Sequence, residues 1–292
     1  MASLHPRRSV LFMPASNARA IAKARTLPCD VVVLDLEDAV APEDKVAARE
    51  AAVATVREGG FGRRQVVIRT NALDTPWGAD DLAAATAAAP DAILLPKLSD
   101  VATLAAARGH AGSDGPDLWA MIETCRAVLE LPALSAAAAA HRLTALVAGT
   151  NDLAKEMRCR PGPSRAPLLP ALSQIVLAAR AYGLLALDGV SNVIGDEAAV
   201  EAECRQGLEW GFDGKTLIHP SQIAPANRVF TPGADDVAWA AKVVAAFADP
   251  AHVCRGVIRI DGRMVELLHL EEARRTLAIA ERCRLAEADA AD

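Results

Sequence analysis

Residues 31–40 read VVVLDLEDAV, an uninterrupted apolar run that ends in Asp35 and leads into Glu37 and Asp38. A strand that is covered on both faces carries continuous rather than alternating apolar residues, as strands of parallel sheets do. The three carboxylates follow this run at the point where a buried strand would reach the surface. The stretch therefore predicts a parallel α/β fold in which charged side chains collect at the carboxyl ends of the strands.

Similar apolar runs recur along the chain and bring the total to eight. They span 9–14, 30–35, 65–70, 92–96, 118–123, 143–149, 184–188 and 215–220. Ala-rich segments of helical character separate them, at 16–26, 43–58, 78–88, 99–108, 125–139, 168–182 and 196–210. Eight strands that alternate with helices predict an α/β fold of the (β/α)8 TIM-barrel class, whose chemistry lies at the carboxyl ends of the strands.

The chain has 292 residues, which is more than one barrel of about 250 residues requires. We assign residues 1–230 to the barrel as a catalytic domain and residues 231–292 to a C-terminal extension. The extension contains helical segments and a hairpin pattern that turns at Asp261-Gly262. A segment of this size is too small to fold alone, so we expect it to pack on the barrel or on a neighbouring subunit.

The composition argues against several classes of function. A formal net charge of −6 does not suit a nucleic-acid binder, which needs clustered Lys and Arg. No apolar stretch approaches the ~18 residues of a membrane span, and the N-terminus has no signal-peptide pattern. The six cysteines include no C-x-x-C pair and are typical of a reducing compartment. We expect a cytoplasmic protein with neither nucleic-acid nor membrane partners.

Glu123 and Asp152 follow adjacent strands of the predicted barrel. Mg²⁺ typically takes one or two protein carboxylates and fills its other positions with water and substrate oxygens, so the pair is a candidate metal site. The alternative is that Glu123 caps the following helix and that Asp152 is the N-cap of a helix over 153–158. The residues alone leave both interpretations open.

Arg69 ends an apolar strand and therefore needs an anionic partner. A substrate carboxylate or carbonyl is one candidate, and a structural ion pair with Glu37 or Asp38 is the other. In an extended segment Asp35 and Glu37 share one side and Asp38 points to the opposite side. His219 is the only histidine near the predicted rim, where a structural hydrogen bond is favoured over a catalytic role.

Longer motifs connect these positions. In chain order they are RRSVLFMPASNARAIAKA, VVVLDLEDAVAPEDKVAAR, VVIRTNAL, ILLPKL, MIET, LVAGTNDLAKEM, LALDGV and GFDGKTLIHPSQIAPANRVF, and they span residues 7–230. Together they resemble the citrate lyase beta-subunit-like family, which includes citryl-CoA, malyl-CoA and citramalyl-CoA lyases. The resemblance implies a (β/α)8 barrel that binds Mg²⁺ through Glu123 and Asp152, with Arg69 as the substrate-binding arginine.

The resemblance also indicates where substrate and coenzyme bind. The acidic segment at 35–40 would support the arginine and the water shell of the metal. The expected substrate-binding residues are Arg69, Glu37, Asp38, Gly149, Thr150 and Asn151. The phosphates of CoA would lie near basic residues around the first strand, namely Arg8, Arg19 and Lys23.

The C-terminal segment departs from the family pattern. Lyases that it resembles typically carry G-K-M-I-D-x-P there, and the Asp acts as acid and base over the barrel of a neighbouring subunit. Here residues 262–268 read GRMVELL, so Glu266 stands at the Asp position. A displacement of roughly 1 Å can cost on the order of 10²-fold in rate. Glu266 is predicted to be catalytic, either with a shifted backbone or in a different reaction.

These features predict a Mg²⁺-dependent lyase that cleaves or forms a β-hydroxyacyl-CoA such as malyl-, citramalyl- or citryl-CoA. Its small-molecule partners would be a CoA thioester and a 2-oxo acid. We expect a homo-oligomer, a trimer or a hexamer, because the extension needs a surface to cover. The alternatives are a CoA-independent metal aldolase of pyruvate-type substrates and a non-catalytic subunit of a larger complex.

Overall fold

The computed structural model describes residues 5–252 and 255–288. Residues 1–4, 253–254 and 289–292 of the two predicted domains lie outside the described residues. The described residues divide into two compact units, one from Arg7 to Phe230 and one that contains residues 5–6, 231–252 and 255–288.

Eight parallel strands close into a barrel within the first unit, and β8 pairs with β1 to complete it. The strands are β1 Ser9–Pro14, β2 Val31–Asp35, β3 Gln65–Arg69, β4 Ala92–Leu95, β5 Asp117–Ile122, β6 Leu143–Ala148, β7 Leu185–Asp188 and β8 Gly214–Leu217. The (β/α)8 class predicted from the apolar runs is confirmed.

Helices follow the strands of this unit. They are α1 Ala18–Ala24, α2 Lys45–Glu58, α3 Gly78–Ala88, α4 Val101–Ala111, α5 Cys125–Ala136, α6 Ala138–His141, α7 Thr150–Glu156, α8 Leu169–Tyr182, α9 Glu197–Glu209 and α10 Ile223–Phe230. Short 3-10 turns lie at Pro42–Asp44, Ala166–Leu168 and Pro220–Gln222. The prediction of a single helix over 125–139 is wrong, because this segment forms two helices, α5 and α6.

Side chains along each strand alternate between the barrel interior and the layer of helices. The interior cluster consists of Val10, Val31, Val33, Val67, Ala92, Leu94, Trp119, Met121, Ala145, Val147 and Leu187. Leu34 and Ile68, by contrast, belong to the larger cluster that packs against the helices. Because Val33 and Val67 point inward, Asp35 and Arg69 also point inward, at the carboxyl ends of β2 and β3.

The second unit has a small core of its own. It contains α11 Ala234–Ala248, a 3-10 turn at Pro250–His252, strands β9 Val257–Ile260 and β10 Arg263–Glu266, and α12 Leu267–Ala288. The strands pair in an antiparallel hairpin, and Asp261 and Gly262 at its turn have φ values of 48° and 80°. The predicted hairpin and its turn are therefore present.

No helix within the described ranges combines the length and the apolarity needed to cross a membrane.

Candidate functional site

A cavity of about 370 Å³ lies at the carboxyl ends of the barrel strands. Its charged lining residues are Asp35, Asp38, Arg69, Glu123 and Asp152. The apolar part of its wall includes Phe12, Met121, Val190 and Ile218. The cavity lining therefore combines charged and apolar side chains.

Glu123 immediately follows β5 and is 1% exposed. Its Oε1 accepts a hydrogen bond from the backbone N–H of Lys97 at 2.6 Å. Its Oε2 is buried and has no hydrogen-bond partner among the residues that the structure describes. Burial, with the nearby negative charge of Glu37, raises the pKa of Glu123 to about 7. A buried carboxylate oxygen without a donor calls for an explanation, and a role in binding a cation is one.

Gly149 immediately follows β6 and makes room for this carboxylate. A Cβ at this position would lie 2.2 Å from the Cβ of Glu123 and 2.7 Å from its Oε2. Any other residue would displace one of the two strand ends. The sequence predicted Gly149 as a substrate contact, and the structure gives it this further role in the close approach of β5 and β6.

Neither candidate metal ligand caps a helix. The N-cap of α5 is Thr124, whose Oγ1 accepts a hydrogen bond from the N–H of Ala127 at 3.0 Å. The next helix begins at Thr150, so Asp152 lies within its first turn. The alternative of a helix over 153–158 capped by Asp152 is therefore wrong, and both carboxylates remain available to the cavity that they line.

The residues present fit a hard divalent cation. Over residues 5–252 and 255–288, no three His, Cys, Asp and Glu groups converge as a ready-made metal cage. Mg²⁺ does not need one, because it is commonly held by one or two carboxylates and keeps several waters. Glu123 offers a buried oxygen to which no described residue donates, and the charge of Asp152 is near enough to act on Glu123.

Arg69 is paired with three carboxylates from the end of β2. Its Nε and Nη2 donate to the two oxygens of Asp35, each at 2.6 Å. Its Nη1 lies 2.8 Å from Oε2 of Glu37 and 3.7 Å from Oδ2 of Asp38. Burial alone would lower the pKa of Arg69, but Asp35 holds it above its usual range. The structural ion pair is present, and its main partner is Asp35 rather than Glu37 or Asp38.

The expectation that Asp38 points away from Asp35 and Glu37 is wrong. The chain turns directly after β2, where the N–H groups of Glu37 and Ala39 donate to the carboxylate of Asp35 at 2.9 and 3.3 Å. The N–H of Val40 then donates to the carbonyl of Glu37 at 3.1 Å. Because the segment is not extended, all three carboxylates reach the same arginine.

A buried lysine that the sequence patterns did not indicate holds this turn in place. The Nζ of Lys45 donates to the carbonyls of Leu36 and Glu37 and to Oδ1 of Asn71, at 2.8, 2.7 and 2.8 Å. Asn71 in turn donates through Nδ2 to Asp81 at 2.6 Å. A lysine at the start of a helix normally faces solvent, so only the contacts in the folded chain reveal this one.

The other predicted substrate-binding residues, Thr150 and Asn151, also line the cavity. Thr150 is buried, whereas Asn151 is exposed and exchanges two side-chain hydrogen bonds with Asn192, at 3.2 and 2.8 Å. His219 accepts a hydrogen bond from the N–H of Ser221 at 3.2 Å and caps the turn that follows β8. This arrangement matches the structural role that the sequence favoured for His219.

The predicted CoA-binding residues do not lie together. Arg19 and Lys23 are exposed on α1, which follows the carboxyl end of β1. Arg8 precedes β1 at the opposite end of the barrel, where it is 3% exposed and donates to Asp30 at 2.9 and 3.0 Å. The prediction for Arg8 is wrong, because a side chain buried at the amino ends of the strands does not face a ligand at the carboxyl ends.

Glu266 ends β10 in the second unit, and its N–H donates to Nδ1 of His269 at 3.0 Å. Its side chain is half-buried. Its role as an acid or base stays a prediction.

Comparisons with known proteins agree on one family. The family model described as HpcH/HpaI aldolase/citrate lyase matches residues 8–220. A (3S)-malyl-CoA thioesterase of Cereibacter sphaeroides (strain KD131 / KCTC 12085) is 46% identical over 280 residues, which cover 95% of each chain. Citrate lyase subunit beta of Escherichia coli (strain K12) is 32% identical, over 94% of this chain and 93% of that protein.

A solved structure of similar fold is that of CitE from Mycobacterium tuberculosis in complex with magnesium, acetoacetate and coenzyme A. It aligns with a TM-score of 0.77 at 33% sequence identity, over 95% of this chain and 98% of that one. The similarity therefore extends over nearly the whole length of both chains.

Proposed function

The chain belongs to the HpcH/HpaI aldolase/citrate lyase family and is an enzyme, and on that premise we propose that it is a Mg²⁺-dependent carbon–carbon lyase. Its substrate would be a β-hydroxyacyl-CoA thioester of the malyl-, citramalyl- or citryl-CoA type, cleaved into an acyl-CoA and a 2-oxo acid. The observation that carries the proposal is the buried Oε2 of Glu123, which has no hydrogen-bond partner among the described residues and lies in a cavity that Glu123 shares with Asp152 and Arg69.

Glu123 and Asp152 would hold the metal. When bound, Mg²⁺ would supply Lewis-acid polarisation of the oxygens of the 2-oxo acid half. Glu123 is preorganised for this task because its Oε1 is held by Lys97 and its side chain packs against Gly149. A ligand that is already fixed loses little conformational freedom when the ion binds.

Arg69 would stabilise the negative charge that develops on the thioester carbonyl oxygen when the neighbouring carbon–carbon bond breaks. Its guanidinium is held in position by two hydrogen bonds to Asp35, and its carbon Cζ lies 4.9 Å from the ring centre of Phe12. Both Arg69 and Phe12 line the cavity. A positive charge fixed before the reaction needs no reorganisation while the charge forms.

Proton transfer needs a further group. In the cleavage direction a base takes the proton of the substrate hydroxyl, and in the reverse direction a carboxylate takes a proton from the methyl group of the acyl-CoA. We assign the carboxylate role to Glu266, in a homo-oligomer whose extensions meet neighbouring subunits. Arg19 and Lys23 would bind the phosphates of CoA, since both are exposed on α1.

Thioester hydrolysis is the second candidate, because the relative that is 46% identical is named a (3S)-malyl-CoA thioesterase. In that reaction water attacks the thioester carbonyl, and a free acid and the CoA thiol leave. Arg69 would stabilise the same oxygen in both reactions, so this residue does not distinguish them.

The products distinguish the two reactions. The full chain is incubated with Mg²⁺ and malyl-, citramalyl- or citryl-CoA, and both free thiol and 2-oxo acid are measured. A lyase forms 2-oxo acid without equivalent thiol, whereas a thioesterase forms thiol without 2-oxo acid. Pyruvate with an aldehyde tests the CoA-independent aldolase alternative. Absence of both products from all three thioesters would contradict the proposed function.

A further inference from the structure

The two edges of the Arg69 guanidinium are held unequally. The edge formed by Nε and Nη2 makes two hydrogen bonds to Asp35, both at 2.6 Å. On the other edge, Nη1 lies 2.8 Å from Oε2 of Glu37, yet that oxygen accepts no well-formed hydrogen bond from any described residue. Nη1 also lies 3.5 Å from Sδ of Met121, which lines the cavity. The Nη1 edge is thus the weakly held one, and it contacts a side chain that lines the cavity.

Glu37 has a second cation. The Nζ of Lys97 donates to its Oε1, so the carboxylate lies between Lys97 on one side and Arg69 on the other. The side chain of Glu37 is 8% exposed, whereas that of Lys97 is 43% exposed. A buried carboxylate needs a cation beside it, and here either of two can serve.

Lys97 contacts the site in two separable ways. Its backbone N–H donates to Glu123, and its side chain donates to Glu37. Its φ of 52° lies in the left-handed region, which few non-glycine residues adopt. Because the two contacts use different parts of the residue, a substitution can remove the side-chain contact and keep the backbone N–H.

We propose that Lys97 is a positioning residue that holds Glu37 when the Nη1 edge of Arg69 turns from Glu37 to an oxygen of the bound 2-oxo acid or thioester. The proposal rests on the proposed function, in which Arg69 faces the thioester oxygen, and extends the contacts of Arg69 to an oxygen of the 2-oxo acid. With Lys97 present, Glu37 keeps a cation after Arg69 has changed partner. Without the ammonium group, Glu37 depends on Arg69 alone and competes with the substrate for Nη1.

Lys97→Met tests this role, because it removes the ammonium group and retains the backbone N–H that holds Glu123. Affinity for pyruvate and for glyoxylate in saturating Mg²⁺ is measured by titration calorimetry, and affinity for Mg²⁺ alone is measured separately. We expect 2-oxo acid binding to weaken about tenfold, the effect of one lost charged hydrogen bond, and Mg²⁺ binding to stay within about twofold. The Lys97→Arg variant should bind both 2-oxo acids with the affinity of the wild-type protein.

A double variant distinguishes this role from a general effect on folding. In Glu37→Gln the competing charge is absent, so adding Lys97→Met to Glu37→Gln should change 2-oxo acid affinity by less than about twofold. Since the Lys97 side chain is 43% exposed, the variants should fold. If Lys97→Met does not, Lys97→Gln takes its place, with a smaller but measurable loss of 2-oxo acid affinity that Glu37→Gln again cancels.

Three results would overturn the positioning role alone: unchanged 2-oxo acid affinity in Lys97→Met, an equal loss with and without Glu37→Gln, or a matching loss of Mg²⁺ affinity. The last result would mean that the lysine acts through Glu123. A different result, in which the unchanged chain binds no 2-oxo acid in the presence of Mg²⁺, would overturn the proposed function and this inference with it.

Discussion

Two buried clusters of charge in the same barrel differ in how completely their groups are paired. Asp188, at the end of β7, is 0% exposed. It accepts hydrogen bonds from Nη1 of Arg165 at 2.7 and 2.9 Å, from Nζ of Lys215 at 2.9 Å and from the N–H of Gly189 at 2.8 Å. At the rim, Oε2 of Glu123 is equally buried and lacks any donor among the described residues. Asp188 is thus fully paired, although Nη2 of its partner Arg165 has no hydrogen-bond partner among the described residues, whereas the rim cluster presents a carboxylate oxygen without a donor to the cavity.

The side of the strand explains the difference. Leu187 points into the barrel, so Asp188, one residue later, points toward the helices and is enclosed by them. Asp35 follows the inward-pointing Val33 at a spacing of two and opens onto the cavity. Whether a carboxylate at a strand end reaches the cavity therefore depends on whether its side chain points into the barrel or toward the helices.

The pKa shifts run in opposite directions in the two clusters. Burial alone would raise the pKa of Asp188, but Lys215 and Arg165 hold it below its usual range. Burial raises the pKa of Glu123 to about 7, and in the described part of the chain no hydrogen-bond donor reaches its Oε2 to oppose the shift. Removal of the charge of Asp188 should therefore cost much more stability than removal of the charge of Glu123.

The largest expected effect is on stability. Asp188→Asn leaves Lys215 and Arg165 buried without a full counter-charge, so the free energy of unfolding should fall by about 3–5 kcal/mol. Glu123→Gln also replaces a carboxylate by an amide, but Oε2 of Glu123 accepts no hydrogen bond from a described residue that the change would break. This variant should change the free energy of unfolding by less than about 1 kcal/mol. Urea unfolding followed by circular dichroism measures both. Equal losses in the two variants would remove the distinction between the clusters.

The effect of Arg69→Lys on activity tests the cluster at the rim. A lysine provides a point charge and cannot keep both hydrogen bonds to Asp35 while presenting a donor to the cavity. We expect kcat/KM to fall by about 10²–10³-fold. Arg25→Lys is the matched control, because Arg25 pairs with Glu58 on the surface, and its activity should be unchanged. Activity within about twofold in Arg69→Lys would count against a direct role for the guanidinium.

The pH dependence of metal binding should follow Glu123. A proton and a cation compete for its carboxylate, and the folded chain holds that pKa at about 7. Mg²⁺ affinity should therefore be constant above pH 7 and fall by about tenfold per pH unit below it. Calorimetric titrations between pH 5.5 and about 8 measure the slope. A flat profile across this range would argue that the metal binds elsewhere.

The barrel was predictable because a continuous apolar run indicates a strand that is buried on both faces. Such a run can be recognised within a few consecutive residues of the sequence. The carboxyl ends of seven strands were predictable to within one residue for the same reason, whereas β8 ends at Leu217, three residues before the end of its predicted run. The partner of Arg69 was not predictable, because Asp35 and Arg69 meet through the register of β2 and β3. The contacts of Lys45 and Lys97 depend on tertiary structure as well, since both lysines bind a turn that leaves the extended conformation.

The error at Arg8 has a similar cause. The motif that contains Arg8 covers the first strand, but Arg8 itself precedes that strand. It therefore lies at the amino ends of the barrel strands, away from the cavity, in a buried ion pair with Asp30. Proximity in sequence to a strand therefore indicates a site residue only at the carboxyl end of that strand.

The central claim is that Glu123 and Asp152 bind one Mg²⁺ together. Calorimetric titration of Mg²⁺ into the unchanged chain, Glu123→Gln and Asp152→Asn tests it most directly. We predict one ion per chain and a loss of affinity above about 100-fold in each variant, because even partners outside the ligand shell contribute 10–100-fold. Unaltered Mg²⁺ affinity in either variant would contradict the account.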